Sequence, residues 1–190
     1  GEKRRGLTVS GENSRSARKI AFLFPGQGGQ WVGMGRQLLD SEPVLREMIE
    51  KCETAMHPYV DWSLTEELQS GARLDEIDIV QPLLFAVQVS LAAVWRAWGI
   101  EPEGVVGHSM GEVAGAYVAG ALSLDDAAHV ICRRSQLMKR VSGQGAMAVV
   151  ELTFEEALAA IAGYEDKLGI AVSNGPRSTG LSGDPTALET

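Results

Sequence analysis

The stretch "GVVGHSMGEVAGAYVAGAL", Gly104 to Leu122, places a G-x-S-x-G at Gly107–Gly111 between a short apolar run and a helical pattern. A serine raised on a sharp strand-to-helix turn has a strained backbone and close neighbours, so glycines must flank it. The helix that follows aims its free N–H groups and positive dipole end at the reacting centre, where an oxyanion forms. Gly111, Ala114, Gly115 and Val118 form a small-residue stripe at helical spacing, which lets that helix approach its sheet closely. G-x-S-x-G also arises by chance in a chain with 22 glycines. The preceding strand and the small-faced helix are what make Ser109 a candidate nucleophile.

The chain has 190 residues, 45% of them hydrophobic, and its mean hydropathy is near zero. That suits an α/β protein with a packed core, whole or part of a larger domain, rather than a disordered chain. A net charge of −8 argues against general nucleic-acid binding. The basic residues that cluster, Lys3, Arg4, Arg5, Arg15, Arg18 and Lys19, lie in a Ser- and Gly-rich N-terminal arm that reads as a linker. No apolar run is read as membrane-spanning, and the N-terminus has no signal-peptide core, so a cytoplasmic protein without membrane contact is expected. Cys52 and Cys132 lack metal or C-x-x-C spacing and read as small buried hydrophobes; no metal site is expected. The chain opens on Gly rather than Met, which reads as a piece of a longer polypeptide.

Three units follow from the element pattern: a linker over 1–18, a large α/β unit over 19–142 and a small α+β unit over 143–190. In the large unit Ile20–Phe24 reads as a buried strand, and residues 40–56 as a helix capped by Asp40 or Ser41 with Pro43 in its first turn. A Ser63-x-x-Glu66 box starts a short helix, and the apolar run from Pro82 to Gly99 is a buried one. A short strand and a helix over Met110–Ala121 carry the elbow, and Ser123 caps the next helix. In the small unit a strand, a helix with a Thr153-x-x-Glu156 box and two strands give a β-α-β-β run. This is the start of a ferredoxin-like fold, ending in the first residues of a second helix.

Two further stretches carry chemistry. The glycine loop "FPGQGGQWVGMG" fails the dinucleotide G-x-G-x-x-G, because Trp31 stands at the third glycine. Beside an elbow, such a loop supplies a second oxyanion N–H, with Met110 N–H as the first. Ala127, Ile131, Arg134, Met138 and Val141 share one helical face, so Arg134 is a cation on an apolar stripe. It needs either an internal acid or a substrate carboxylate, which its planar fork grips through two parallel bonds.

Together, "FPGQGGQ", "QPLLFAVQVSLAAVWRAWGI", "GHSMGE" and "RRSQLM", in this order, resemble the acyltransferase domains of modular polyketide synthases. These are relatives of the malonyl-CoA:acyl-carrier-protein transacylase. The resemblance runs from about Lys19 to Thr190. It implies an α/β-hydrolase-like large subdomain with an inserted ferredoxin-like small one, both incomplete in this chain. It also implies ping-pong transfer, with no bound cofactor: Ser109 takes an acyl unit from acyl-CoA and passes it to the phosphopantetheine thiol of an acyl carrier protein. Adjacent partners would be a ketosynthase and other modules of a multidomain synthase. By motif, Arg134 holds the extender's free carboxylate, and Gln27 and Met110 supply the oxyanion N–H groups. Gln81, His108 and Asn174 line the pocket.

The resemblance is not complete. The family's general base is a histidine well past the serine, beyond Thr190, and this chain alone is therefore expected to be inactive. His108, His129 and His57 are poor substitutes. The strongest extender-choice motif also lies downstream. "EIDIVQP", Glu76 to Pro82, resembles a segment of methylmalonyl-selecting domains and points to methylmalonyl over malonyl. Gly180 stands where the family places a β-branched residue, which weakens that strand on propensity alone. The competing readings are a non-catalytic scaffold or docking piece and an esterase-like serine hydrolase. The latter would need an Asp/Glu-then-His order that is not visible.

Overall fold

The computed structural model describes residues 19–189. The expected linker over 1–18 lies outside the described residues; the neighbouring Lys19 has its Nζ 3.5 Å from Glu103.

The fold is α/β. Strand β1 (Ala21–Phe24) pairs in parallel with β2 (Gly104–Gly107), residue for residue from Ala21↔Gly104 to Phe24↔Gly107. Alternation turns Phe22, Phe24 and Val105 toward the helices. Leu23, 71% exposed, and Val106 face the other way. Around this pair lie α1 (Arg36–Ser41), α2 (Pro43–Met56), α3 (Leu64–Ser70), α4 (Ile77–Ala97), α5 (Gly111–Val118) and α6 (Leu124–Val141). Helix α4 is the centre of the core: Ile79, Val80, Leu83, Phe85 and Ala86 are fully buried, and α2, α5 and α6 pack on it. Cys52 and Cys132 are free and buried, and desolvation pushes both thiols up to about 12, which leaves them unreactive.

Several boundaries differ from the sequence reading. Helix α4 starts at Ile77, not Pro82, and carries Pro82 inside it. The proline removes one backbone donor, but burial of the flanking apolar residues on all sides outweighs that local cost. At 21 residues α4 is also long and apolar enough to cross a membrane, contrary to the reading that no run is; instead, 67% of its apolar window is buried inside the fold. Asp40 and Ser41 do not cap α2. They end α1, a helix the sequence reading lacks, and the extended Glu42 precedes Pro43. The Ser63 box is half built: Ser63 accepts from Glu66 N–H at 3.2 Å but donates its own proton to Glu53 at 2.6 Å. Helix α5 stops at Val118 rather than Ala121, because the chain turns through Gly120 at φ 77°.

The second core belongs to β3 (Ala146–Val150), α7 (Phe154–Ala160), β4 (Leu168–Gly175), β5 (Ser178–Gly183) and α8 (Pro185–Leu188). The strands are antiparallel in the order β3-β5-β4. Ala157, Ile161, Leu168 and Leu181 are buried at its centre, while Met147 and Val149 of β3 are about 70% exposed. Thr153 and Glu156 complete their capping box, at 3.1 and 2.9 Å.

Gly180 is not a weak point. A Cβ there would sit 2.6 Å from Val172 Cγ1, so the missing side chain is what lets Val172 lie across β5. Gly180→Val should therefore destabilise the protein by about 1–3 kcal/mol, against its strand propensity. Val172→Ala should recover much of that loss. Chemical denaturation of the single and double variants checks this, and a stabilised Gly180→Val would refute the packing account.

Candidate active site

The elbow is built by close approach. A Cβ on Gly111 would lie 2.1 Å from the Phe24 carbonyl oxygen, and one on Gly107 would lie 2.4 Å from Glu112 Cα. No residue but glycine fits either place. His108 N–H donates to Phe24 O at 2.9 Å, and Gly111 N–H donates back to His108 O at 2.9 Å. Between them Ser109 takes φ 53°, the only positive φ of a non-glycine residue among the described residues. Holding such a backbone costs about 1–3 kcal/mol.

The glycine loop after β1 runs beside this turn. A Cβ on Gly26 would stand 3.2 Å from His108 Nδ1 and 3.4 Å from Ser109 Cβ. Among the described residues, neither Gln27 N–H nor Met110 N–H donates to a protein acceptor. Both sequence-derived oxyanion candidates thus keep a donor unspent beside Ser109.

Arg134 reaches the same spot from α6. Its Nη2 donates to Ser109 Oγ at 3.2 Å, and its Nη1 donates to Gln81 Oε1. Gln81, only 3% exposed, donates through Nε2 to Gln27 Oε1 at 3.2 Å. A polar chain therefore runs Gln27–Gln81–Arg134–Ser109 through the gap between the loop, α4, α6 and the elbow. The alternative that Arg134 serves an internal salt bridge is not what is seen: among the described residues it has no acidic partner. A half-buried guanidinium held by an amide, with no counter-ion among the described residues, is chemically able to receive an anion.

His108 turns away from Ser109 toward the small sheet, its Nε2 3.2 Å from Asn174 Oδ1 on β4. That contact brings Asn174 to the elbow's rim. The other histidines lie elsewhere: His129 stacks on Tyr59 with ring centroids 4.7 Å apart, and His57 ends α2. None of the three is hydrogen-bonded to Ser109.

The family model of the acyl transferase domain matches residues 21–190. The chain belongs to this family. It is 52% identical over 171 residues to the erythronolide synthase EryA3 of Saccharopolyspora erythraea, covering 90% of this chain and 5% of that protein. To the mycoketide-CoA synthase of Mycobacterium tuberculosis it is 46% identical over 192 residues, 100% of this chain and 5% of that one. Among solved structures it resembles the loading acyltransferase of the avermectin modular polyketide synthase, with a TM-score of 0.80 and 48% identity. That match covers 89% of this chain and 55% of the other. The acyltransferase domain from module 8 of the salinomycin polyketide synthase gives a TM-score of 0.83 at 49% identity, over 89% and 41%. The chain thus spans about a twentieth of these curated relatives and about half of these solved chains. The acyltransferase expected from the four sequence blocks is borne out at the level of family.

In this acyltransferase chain one charged network escaped the sequence reading. Lys139 Nζ sits 2.9 Å from Glu76 and 2.8 Å from Asp78, and Arg73 Nε sits 2.8 Å from Glu76. It ties α6 to the start of α4 and so sets Arg134 opposite Gln81. Hydrogen bonds from Arg73 first, and then Lys139, pull the Glu76 carboxyl down to about 2. A depressed carboxylate supports the folded state above its ordinary value of 4.5, and that support fades as pH falls toward about 2. At about pH 3.5, where ordinary glutamates are largely protonated, Glu76 should remain ionised. A carbon-13 titration of its side-chain carboxyl reads this directly; a midpoint near the ordinary value would mean the network is not formed in solution.

Proposed function

We propose that this chain is the serine-bearing part of an extender-loading acyltransferase of a polyketide synthase. Ser109 Oγ attacks the thioester carbonyl of an acyl-CoA; its proton passes to a general base and then to the departing CoA thiolate. The products are an acyl-serine ester and free CoA. The phosphopantetheine thiol of a carrier protein then attacks that ester, yielding the acyl thioester and restoring the hydroxyl. The oxyanion of each tetrahedral intermediate falls to Gln27 and Met110 N–H. The base in this reading is the histidine that the family resemblance implies; none of His57, His108 and His129 is hydrogen-bonded to Ser109. Carrier protein, ketosynthase and neighbouring modules are its partners, in the cytoplasm.

The observation that carries this reading is Arg134, unpaired by any acid among the described residues and 3.2 Å from Ser109 Oγ. A simple esterase has no use for a fixed cation beside its nucleophile. A malonyl or methylmalonyl unit does, because its free carboxylate must be gripped while the thioester is presented to the serine. Before substrate arrives, the N–H from Arg134 occupies a lone pair of Oγ. A carboxylate that draws the guanidinium to itself frees that lone pair for attack, so recognition and nucleophile release are coupled. Methylmalonyl is the preferred unit, on the Glu76–Pro82 segment. A docking scaffold would have no reason to keep Ser109 strained, which counts against that alternative.

The test uses the full-length acyltransferase domain. Incubation with methylmalonyl-CoA should add one acyl mass at Ser109, and Ser109→Ala should remove it. Arg134→Ala should lower kcat/KM for malonyl and methylmalonyl donors by about 10- to 150-fold, as expected for charge-assisted bonds of about 1.5–3 kcal/mol, and spare acetyl-CoA. Equal losses for dicarboxylic and acetyl donors would sink the carboxylate role.

A further inference from the structure

We propose that His108 and Asn174 are positioning residues that form a latch: their hydrogen bond holds the small unit over the elbow and shields the acyl-Ser109 ester from water between the two half-reactions. The inference rests on the reading of Ser109 as the acyl-carrying nucleophile.

The two units are joined loosely. Their hydrophobic cores share no residue, and no ion pair among the described residues crosses between them. The connector from α6 to β3, residues 142–145, reads Ser-Gly-Gln-Gly. Gly143 takes φ 79°, with nothing within 4 Å of where a Cβ would stand. Hydrogen bonds of the connector run back to α6: Ser142 N–H to Lys139 O at 3.3 Å, Gln144 N–H to Val141 O at 3.1 Å and Gln144 Nε2 to Arg140 O at 2.8 Å. Beside it lies an open groove of about 490 Å³, where Val141 and Met147 stay exposed. This side of the junction is a pivot rather than a packed interface.

Away from the connector the units meet at His108, whose Nε2 lies 3.2 Å from Asn174 Oδ1. An amide oxygen only accepts, so Nε2 carries the proton. On the large unit the imidazole is anchored: the His108 backbone is bonded to Phe24 O and Gly111 N–H, and a Cβ on Gly26 would stand 3.2 Å from Nδ1. The fastening is thus fixed at the elbow and movable at β4. One neutral hydrogen bond between exposed groups is weak, which suits a cover that must lift for each carrier protein. Water and the carrier thiol perform the same displacement. Each adds to the ester carbonyl, and the serine oxygen leaves and regains a proton; water yields the free acid, the thiol a thioester. Access, not chemistry, separates the two outcomes.

The experiment acylates the full-length domain with methylmalonyl-CoA, removes the excess, and follows loss of the Ser109 adduct by mass with and without carrier protein. Asn174→Ala and His108→Phe should each raise the rate of hydrolysis relative to transfer by about two- to tenfold, the range that one such bond supports. His108→Gln, which presents an amide N–H in place of Nε2–H, should restore the original ratio. The double variant His108→Phe/Asn174→Ala should exceed neither single one, because both remove the same bond. Nitroxide labels on Glu50→Cys of α2 and Leu158→Cys of α7, both exposed positions, should show a broader separation in Asn174→Ala. Where His108→Phe fails to fold, Asn174→Ala reads the same bond from its other end. An unchanged ratio, equal effects of His108→Phe and His108→Gln, or an unbroadened separation overturns the latch while the acyltransferase reading stands. Absence of any Ser109 adduct in the unmodified domain overturns that reading itself.

Discussion

Everything at the site follows from how closely α5 begins to the end of β1. With Gly111 against the Phe24 carbonyl, where no Cβ has room, the chain leaving β2 has only His108, Ser109 and Met110 in which to turn into a helix. Ser109 absorbs the turn at φ 53°. The same closeness leaves the loop after β1 lying against the elbow, where a Cβ on Gly26 would crowd His108 Nδ1 at 3.2 Å and Ser109 Cβ at 3.4 Å. Ser109 and the N–H groups proposed as oxyanion donors are thus not placed separately. They are consequences of one backbone contact, and a single methyl group at Gly111 would undo all of them.

The second constraint is electrostatic. Gln81 is a buried amide in an otherwise apolar helix, and its desolvation is offset by bonds at both ends. Its neutrality matters. A glutamate at the same position would hold the guanidinium equally well but would cancel its charge and close the site to anions. An amide orients Arg134 while leaving its charge available, and through Gln27 it fixes the loop after β1 in the same stroke. In the proposed function, carboxylate recognition and oxyanion stabilisation would thereby share one side chain, although they act on opposite ends of the substrate.

What was legible in the sequence was what is local. The elbow shows as glycine spacing followed by a small-faced helix. The Thr153 cap is complete within four residues, and the partner-seeking face of Arg134 is visible from helical periodicity alone. What was illegible depends on residues brought together from a distance. Lys139 meets Glu76 across 63 positions, Gln81 meets Gln27 across 54, and His108 meets Asn174 across 66. Nothing in either local sequence marks the pairing. The start of α4 was hidden for another reason: Pro82 is a strong local stop signal, and only the burial of the helix around it overrides that signal. Gly180 misled in the same way, since propensity knows nothing of Val172 lying across it.

Three departures from local optima converge on this small region. Ser109 holds a left-handed backbone without being glycine, Arg134 holds a charge with no acid partner among the described residues, and Pro82 interrupts the donor pattern of α4 beside Gln81. Each lowers stability by itself, and each lies on a different element. A chain selected only to fold, or only to present an outer surface, would be free to relax all three independently. The strained serine and the unpaired arginine come within one hydrogen bond of each other, and the proline follows directly on the amide that orients the arginine. A shared demand made at that point, chemistry on an anionic acyl group, accounts for all three together, and that convergence argues for it more strongly than the G-x-S-x-G pattern does alone.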